Sequence, residues 1–261
     1  MVTGEIAIIT SIGLDHQETL GDSLTAIAEQ KAGIFKPGKS AVIANLAPEA
    51  QLVCKKTATN LGVSLYQANK DFSFRNGNFS SSLADFNHLI LGLEGAYQEE
   101  NAALALQAFL LFMVQRNEKV DQEAVRASLQ ATKWAGRLEA VTEHIYLDGA
   151  HNLPALERLV EFIQEKIQQG YQSQILFGAL KRKDYSGMLT YLTEHLPDVA
   201  LYVTSFDYQG SLEEQDFGDY TSIASYRDFI DNFEASAQEK DLLFVTGSLY
   251  FISEVRACFM A

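Results

Sequence analysis

Three short segments combine glycine with side chains that can hold an anion or move a proton. They are Asp148-Gly149-Ala150-His151-Asn152, Gly178-Ala179-Leu180-Lys181-Arg182-Lys183-Asp184 and Thr246-Gly247-Ser248. Each directly follows an apolar run that reads as a strand: Ile145–Leu147, Gln174–Phe177 and Leu242–Val245. In open α/β sheets, ligands bind beyond the carboxyl ends of the strands. Helix starts add free N–H groups and a partial positive charge, which suit phosphate. Taken singly, each segment also reads as turn chemistry, and Ser248 as a helix cap. Three of them in one sheet point to a nucleotide-like ligand. Neither a GxGxxG nor a GxxxxGK[ST] motif occurs, so no dinucleotide fingerprint or P-loop is present in these residues.

Two further candidates lie near the start. Asp15 and His16, in Gly13-Leu14-Asp15-His16, can both ligate a divalent cation and follow the strand-like run Ile6–Ile9. Lys31 shares a helical stripe with Leu24, Ile27, Ala28 and Ile34. A lysine on an apolar face is costly unless paired or neutral, and a neutral amine is nucleophilic. The alternative is that Lys31 runs past the helix edge into solvent.

The elements that must hold these residues follow from the apolar periodicity. Ile6–Ile9 and Ala41–Ala44 read as strands. A helix capped by Asp22 or Ser23 runs to Phe35 and is ended by Pro37-Gly38. Pro48–Asn60 reads as a second helix, Phe72–Leu83 as a hairpin turning at Asn76-Gly77, and His88–Leu91 as another strand. Asn101–Gln115 and Asp121–Ala131 read as helices. Beyond Trp134 the pattern becomes regular strand–helix alternation, with further helices at Pro154–Gln168, Tyr185–His195, Tyr226–Gln238 and Leu249–Cys258 and a strand at Val199–Val203. That alternation builds a mostly parallel sheet with helices on both faces.

Composition narrows the functional classes. The 261 residues carry a net charge of −14, with 47% hydrophobic and 21% charged residues, an ordinary globular balance. Such a charge repels nucleic acid and anionic membranes, and Lys181-Arg182-Lys183 is too short a basic cluster to reverse that. Cys54 and Cys258 stand alone, which fits free thiols in a reducing compartment. Met1–Thr10 lacks the pattern of a signal peptide, and the most apolar stretch, Leu104–Val114, is too short for a membrane span. A cytoplasmic protein without nucleic-acid or membrane partners is expected.

Several segments together resemble one family. Ile9-Thr10-Ser11-Ile12-Gly13-Leu14-Asp15-His16, Leu20-Gly21-Asp22 and Ile27-Ala28-Glu29-Gln30-Lys31-Ala32-Gly33-Ile34-Phe35-Lys36-Pro37-Gly38 resemble the central-domain motif of folylpolyglutamate synthases and dihydrofolate synthases, members of the Mur-ligase superfamily. Tyr97-Gln98, Asn101-Ala102-Ala103, Gly136-Arg137-Leu138-Glu139, Leu147-Asp148-Gly149-Ala150-His151-Asn152 and Val245-Thr246-Gly247-Ser248-Leu249-Tyr250 follow in family order. The resemblance implies an α/β fold. Residues 1–133 would be part of a central P-loop-type ATPase domain, and residues 134–261 a complete Rossmann-like, mostly parallel C-terminal domain.

The resemblance also implies roles. His16 resembles a Mg²⁺ ligand, and Lys31 a lysine carbamylated by CO₂ that helps hold a second Mg²⁺. Asn101 and Arg137 resemble residues contacting ATP. Asp148 and His151 resemble the C-terminal-domain pair that meets the nucleotide. Lys181, Asp184 and Ser248 would line the side receiving glutamate. The implied partners are ATP, L-glutamate and folate derivatives. Family members carry a TGTNGKGS-type phosphate loop ahead of the segment matched by Ile6–Ile9, and this chain does not contain one. The polypeptide alone is therefore expected to be inactive, with self-association possible through the sheet edge left open. Two alternatives stay open: another amide ligase of the superfamily, and a non-catalytic nucleotide- or glutamate-binding module.

Overall fold

A computed structural model of the chain describes residues 4–13 and 21–260. The chain divides into two compact units, one of Met1–Gly92 with Ala96–Thr132, the other of Leu93–Gly95 with Lys133–Ala261.

In the first unit, β1 (Ile6–Ile9), β2 (Ser40–Ile43) and β3 (Ser64–Gln67) form a parallel sheet in that order among the described residues. The register places Ile6 opposite Ser40 and Ser40 opposite Ser64. Ala41, Val42 and Ile43 are fully buried, because helices cover the middle strand. α1 (Leu24–Ala32) is capped by Ser23, whose Oγ accepts the Ala26 N–H at 3.2 Å. It ends at Ala32, earlier than its periodicity suggests. Gly33 closes it, and Ile34 stands 46% exposed rather than on the buried stripe.

α2 (Pro48–Leu61) begins with proline in its first turn and stops at Gly62, whose φ of 63° suits a residue without Cβ. β4 (Phe72–Arg75), β5 (Asn78–Ser81) and β6 (Asp85–Phe86) make a small antiparallel sheet. Asn76 and Gly77 carry φ of 50° and 74°, as the tight turn between β4 and β5 requires. α3 (Tyr97–Gln115) and α4 (Gln122–Ala131) complete the unit. His88–Leu91 is not a strand. His88 adopts φ of 58°, which breaks extension, and Leu89 donates its N–H to the Gly77 carbonyl at 2.7 Å.

The second unit is a six-stranded sheet ordered β11-β10-β9-β12-β8-β7. Its strands are β7 (Glu139–Ala140), β8 (Ile145–Leu147), β9 (Gln172–Phe177), β10 (Ala200–Thr204), β11 (Thr221–Ile223) and β12 (Asp241–Thr246). All neighbours are parallel except β7 with β8. Between the strands run α5 (Leu153–Gln168), α6 (Tyr185–His195), α7 (Tyr226–Ser236) and α8 (Leu249–Phe259).

The pleat sends alternate residues to opposite faces. Ile145, Leu147, Leu243 and Val245 pack with Tyr226 and Ile230 of α7 and Phe251, Ile252 and Val255 of α8. Tyr146 and Phe244 turn the other way and meet Phe162 of α5, with ring centroids 5.4 and 6.1 Å away. Burial on both faces is why these strands read as unbroken apolar runs. Among the described residues, no helix is long and apolar enough to cross a membrane.

Candidate functional site

The strand order sets β8, β12 and β9 side by side, so the loops leaving their carboxyl ends are neighbours. A cleft of about 220 Å³ lies there, lined by His151, Leu180, Arg182, Lys183, Gly247, Ser248, Leu249 and Tyr250. All three glycine-bearing segments contribute to it.

The first loop is organised by Asp148, which is only 6% exposed. Its Oδ2 accepts the Leu138 N–H and its Oδ1 the Ala150 N–H, each at 2.9 Å. Burial raises its carboxyl above the ordinary range, against the pull of those two N–H donors, Arg137 and His151. Asp148 therefore shapes two turns at once, the one carrying Arg137 and the one carrying His151. Asp148, expected to meet the nucleotide, has each carboxylate oxygen accepting one backbone N–H.

The Arg137 turn is further held by Glu139. That carboxylate accepts the Gly136 N–H at 2.8 Å and the Arg256 Nε–H at 2.9 Å. Gly149 is a close approach: an added Cβ would overlap the Leu249 side chain and lie 2.7 Å from an Arg137 guanidinium nitrogen. The half-buried His151 ring places Nδ1 2.8 Å from the Gly149 carbonyl. A carbonyl can only accept, so Nδ1 carries the proton and a neutral ring leaves Nε2 as acceptor.

Ser248 is 4% exposed and caps α8, its Oγ accepting the Tyr250 N–H at 3.2 Å. It is both cap and cleft wall, so the two readings of this residue coincide. Lys181 and Asp184, expected on the substrate side, are engaged elsewhere. The Lys181 ammonium lies 3.0 Å from Glu213 and 3.0 Å from Asp216, and hydrogen bonding to these carboxylates raises its pKa. Asp184 caps α6, accepting the Gly187 N–H at 3.0 Å. Arg182 and Lys183 take their place on the cleft. Sequence reasoning named this loop but not these two members. Glu213 and Asp216 reach Lys181 from a distant loop, so no local signal in the sequence marked Lys181 as already engaged.

In the first unit, Lys31 is half-buried, and its ammonium donates to the Ser11 carbonyl at 2.9 Å. Ser11 lies just past β1, so Lys31 is held at the carboxyl end of a parallel strand. It neither sits deep in the core nor runs free into solvent. His16, the other expected cation ligand, lies outside the described residues. Among the described residues, no cluster of three or more His, Cys, Asp or Glu side chains is arranged to hold a metal. Asn101 is exposed on α3, its amide donating to Gln98 Oε1 at 2.9 Å.

Comparison with known proteins places these features in context. No family model matches the chain. It is 33% identical over 268 residues to the dihydrofolate synthase/folylpolyglutamate synthase of Bacillus subtilis (strain 168), covering 96% of this chain and 62% of that protein. It superposes on a solved FPGS–AMPPCP–folate complex with a TM-score of 0.81 and 27% identity, covering 100% of this chain and 62% of that one. It also superposes on the bifunctional folylpolyglutamate synthase/dihydrofolate synthase of Yersinia pestis, complexed with AMPPNP and Mn ion, with a TM-score of 0.80 and 25% identity over 100% of this chain and 62% of that one. The mixed α/β architecture, with its parallel sheets, matches the fold of these structures. The chain spans about 62% of the length of each of these relatives.

Proposed function

Because the chain is homologous to the folylpolyglutamate and dihydrofolate synthases over about 62% of their length, we propose that it is part of an ATP-dependent ligase that adds L-glutamate to the γ-carboxylate of a folate or its polyglutamates. The carrying observation is the cleft in the second unit, which joins His151, Ser248, Arg182 and Lys183 beyond three parallel strands.

In this reading the folate carboxylate oxygen attacks the γ-phosphorus of ATP. The bond to ADP breaks, and an acyl phosphate forms. The amine of glutamate then attacks the acyl carbon, inorganic phosphate leaves, and an amide remains. The part played by this cleft is to hold glutamate in line, which is catalysis by positioning. Lys183 takes a carboxylate of the amino acid, Ser248 offers a hydroxyl, and Arg137, Asp148 and His151 are the groups of this unit assigned to the nucleotide.

Asn101 is assigned to ATP in the first unit. A divalent cation, Mg²⁺ on this reading, would offset the charge of the two anions that must meet. His16 and Lys31 are the residues assigned to it, Lys31 as a carbamate. Its position beside Ser11, at the end of β1, supports that assignment. The working location is the cytoplasm.

The 261 residues contain no phosphate-gripping GxxxxGK[ST] loop, so the polypeptide assayed alone is expected to give no turnover. β1 pairs only with β2 among the described residues, and Ile8 on it is 39% exposed. This edge is the surface proposed for self-association.

The reading is tested by a chimera in which the segment of the Bacillus subtilis relative preceding the matched region is joined to this chain. ATP- and glutamate-dependent lengthening of tetrahydrofolate is expected. A folded chimera that binds ATP yet never extends folate would overturn the proposal.

A further inference from the structure

Three cations follow β9 in sequence, but they differ in what they face. Lys181 is neutralised by Glu213 and Asp216. Arg182 and Lys183 line the cleft, and neither forms an ion pair among the described residues. In a chain of net charge −14, two uncompensated cations on one small concavity are an exception that suits a ligand with two negative groups.

Arg182 also has a distinctive neighbour. Tyr250 lines the same cleft, and its ring stacks on Tyr208 with centroids 4.1 Å apart and planes inclined by 26°. A hydrogen bond from Tyr208, and then one from Arg182, hold the Tyr250 hydroxyl below its ordinary pKa. The stack therefore braces a wall of the same cleft that Arg182 lines. The guanidinium carries five N–H donors in a planar fork, enough for a bidentate carboxylate contact.

Resting on the reading that this cleft receives the incoming amino acid, we propose that Arg182 selects a dicarboxylic substrate by gripping its second carboxylate. Lys183 takes the first. Tyr250, steadied by Tyr208, is a positioning residue that fixes the direction of the Arg182 fork. A neutral amide in the second position offers one acceptor oxygen and turns an NH₂ group towards a donor-only guanidinium, and so is held less well.

The test is a titration of the 261-residue chain with L-glutamate and with L-glutamine, followed by saturation-transfer NMR. Circular dichroism checks that each variant is folded. The wild type is expected to prefer glutamate by roughly tenfold, the usual worth of one charge-assisted contact. Arg182→Gln is expected to abolish that preference while leaving glutamine binding unchanged. Tyr250→Phe should reduce the preference in part, again without altering glutamine binding, an outcome that a merely structural role would not give. A folded Arg182→Gln that keeps the preference overturns the role of Arg182 and leaves the amino-acid cleft standing. Equal loss of both ligands also overturns selection by Arg182. A wild type that binds neither amino acid overturns the cleft assignment, and this proposal with it.

Discussion

The carboxylate of Asp148 holds the backbone N–H of Leu138 at 2.9 Å, and Leu138 is bent into the left-handed region with φ of 45°. A branched side chain there is strained by about 1–3 kcal/mol unless its surroundings enforce it. Two things enforce it: the Leu138 side chain is buried, and its N–H has a charged acceptor. The turn in question carries Arg137, so the strain is tied to the placement of a guanidinium. Asp148→Asn keeps the shape but turns one acceptor oxygen into an NH₂ group, opposing one of the two donors. Destabilisation of roughly 1–3 kcal/mol is expected from the buried N–H left unsatisfied. Urea unfolding of the purified chain measures this, and a change below about 0.5 kcal/mol would show that Asp148 does not hold the turn.

The same residue gives a pH dependence with a definite sign. Burial raises the Asp148 carboxyl above its ordinary value of 3.8, so the native state holds that proton more tightly than the unfolded chain does. Its contribution to stability is then greatest below the ordinary value and is lost as pH rises through the raised native one. Asp148→Asn has no such titration. The stability gap between wild type and variant should therefore narrow as pH rises across that window. Melting temperatures of both proteins at a series of acidic pH values read the gap directly, and a gap that widens would contradict the raised carboxyl.

Much of this arrangement was visible in the residues themselves, for a physical reason. β8 and β12 are buried on both faces, so Ile145–Leu147 and Leu242–Val245 are continuous apolar runs that announce strands. β3, Ser64-Leu65-Tyr66-Gln67, and β11, Thr221-Ser222-Ile223, lie at the edges of their sheets, are half solvated, and carry no such signal. His88–Leu91 has a strand-like composition, but its first residue is turned to positive φ by docking against the Gly77 turn. The site shows the same division. The three loops were legible because glycine and charge follow each strand. Which of Lys181, Arg182 and Lys183 faces the cleft was not, because that depends on Glu213 and Asp216 reaching back from a distant loop. The Tyr208–Tyr250 stack is likewise a tertiary fact, absent from any local pattern.

Gly77 supplies a prediction for the first unit. Its φ is 74°, and an added Cβ would stand 2.7 Å from the Leu89 carbonyl oxygen, which is backbone and cannot swing aside. That carbonyl belongs to the segment whose Leu89 N–H bonds back to Gly77. Gly77→Ala therefore meets both a backbone penalty and a collision. A loss of roughly 2 kcal/mol or more is expected, above the usual 0.4–1 kcal/mol scale of benign glycine replacements. Chemical denaturation checks it. Unchanged stability would mean that the turn can adopt another geometry at little cost.

The contrast between Lys181 and Lys183 separates position in sequence from position in space. Both are lysines beyond β9, two residues apart, and either could hold a carboxylate by type alone. Lys181 already sits 3.0 Å from each of two carboxylates and lies outside the cleft lining. An added anion would have to compete with groups tethered beside it. Lys183 lines the cleft and has no ion pair among the described residues, so its charge is available. Lys183→Met is expected to weaken L-glutamate binding by roughly tenfold or more, as loss of a charge-assisted hydrogen bond implies. Lys181→Met should change it by less than about twofold, its effect being confined to the Glu213–Asp216 loop that it neutralises. Titration of both variants by NMR decides between them. Equal weakening by the two substitutions would show that the cleft responds to the net charge of the loop rather than to one lysine aimed into it.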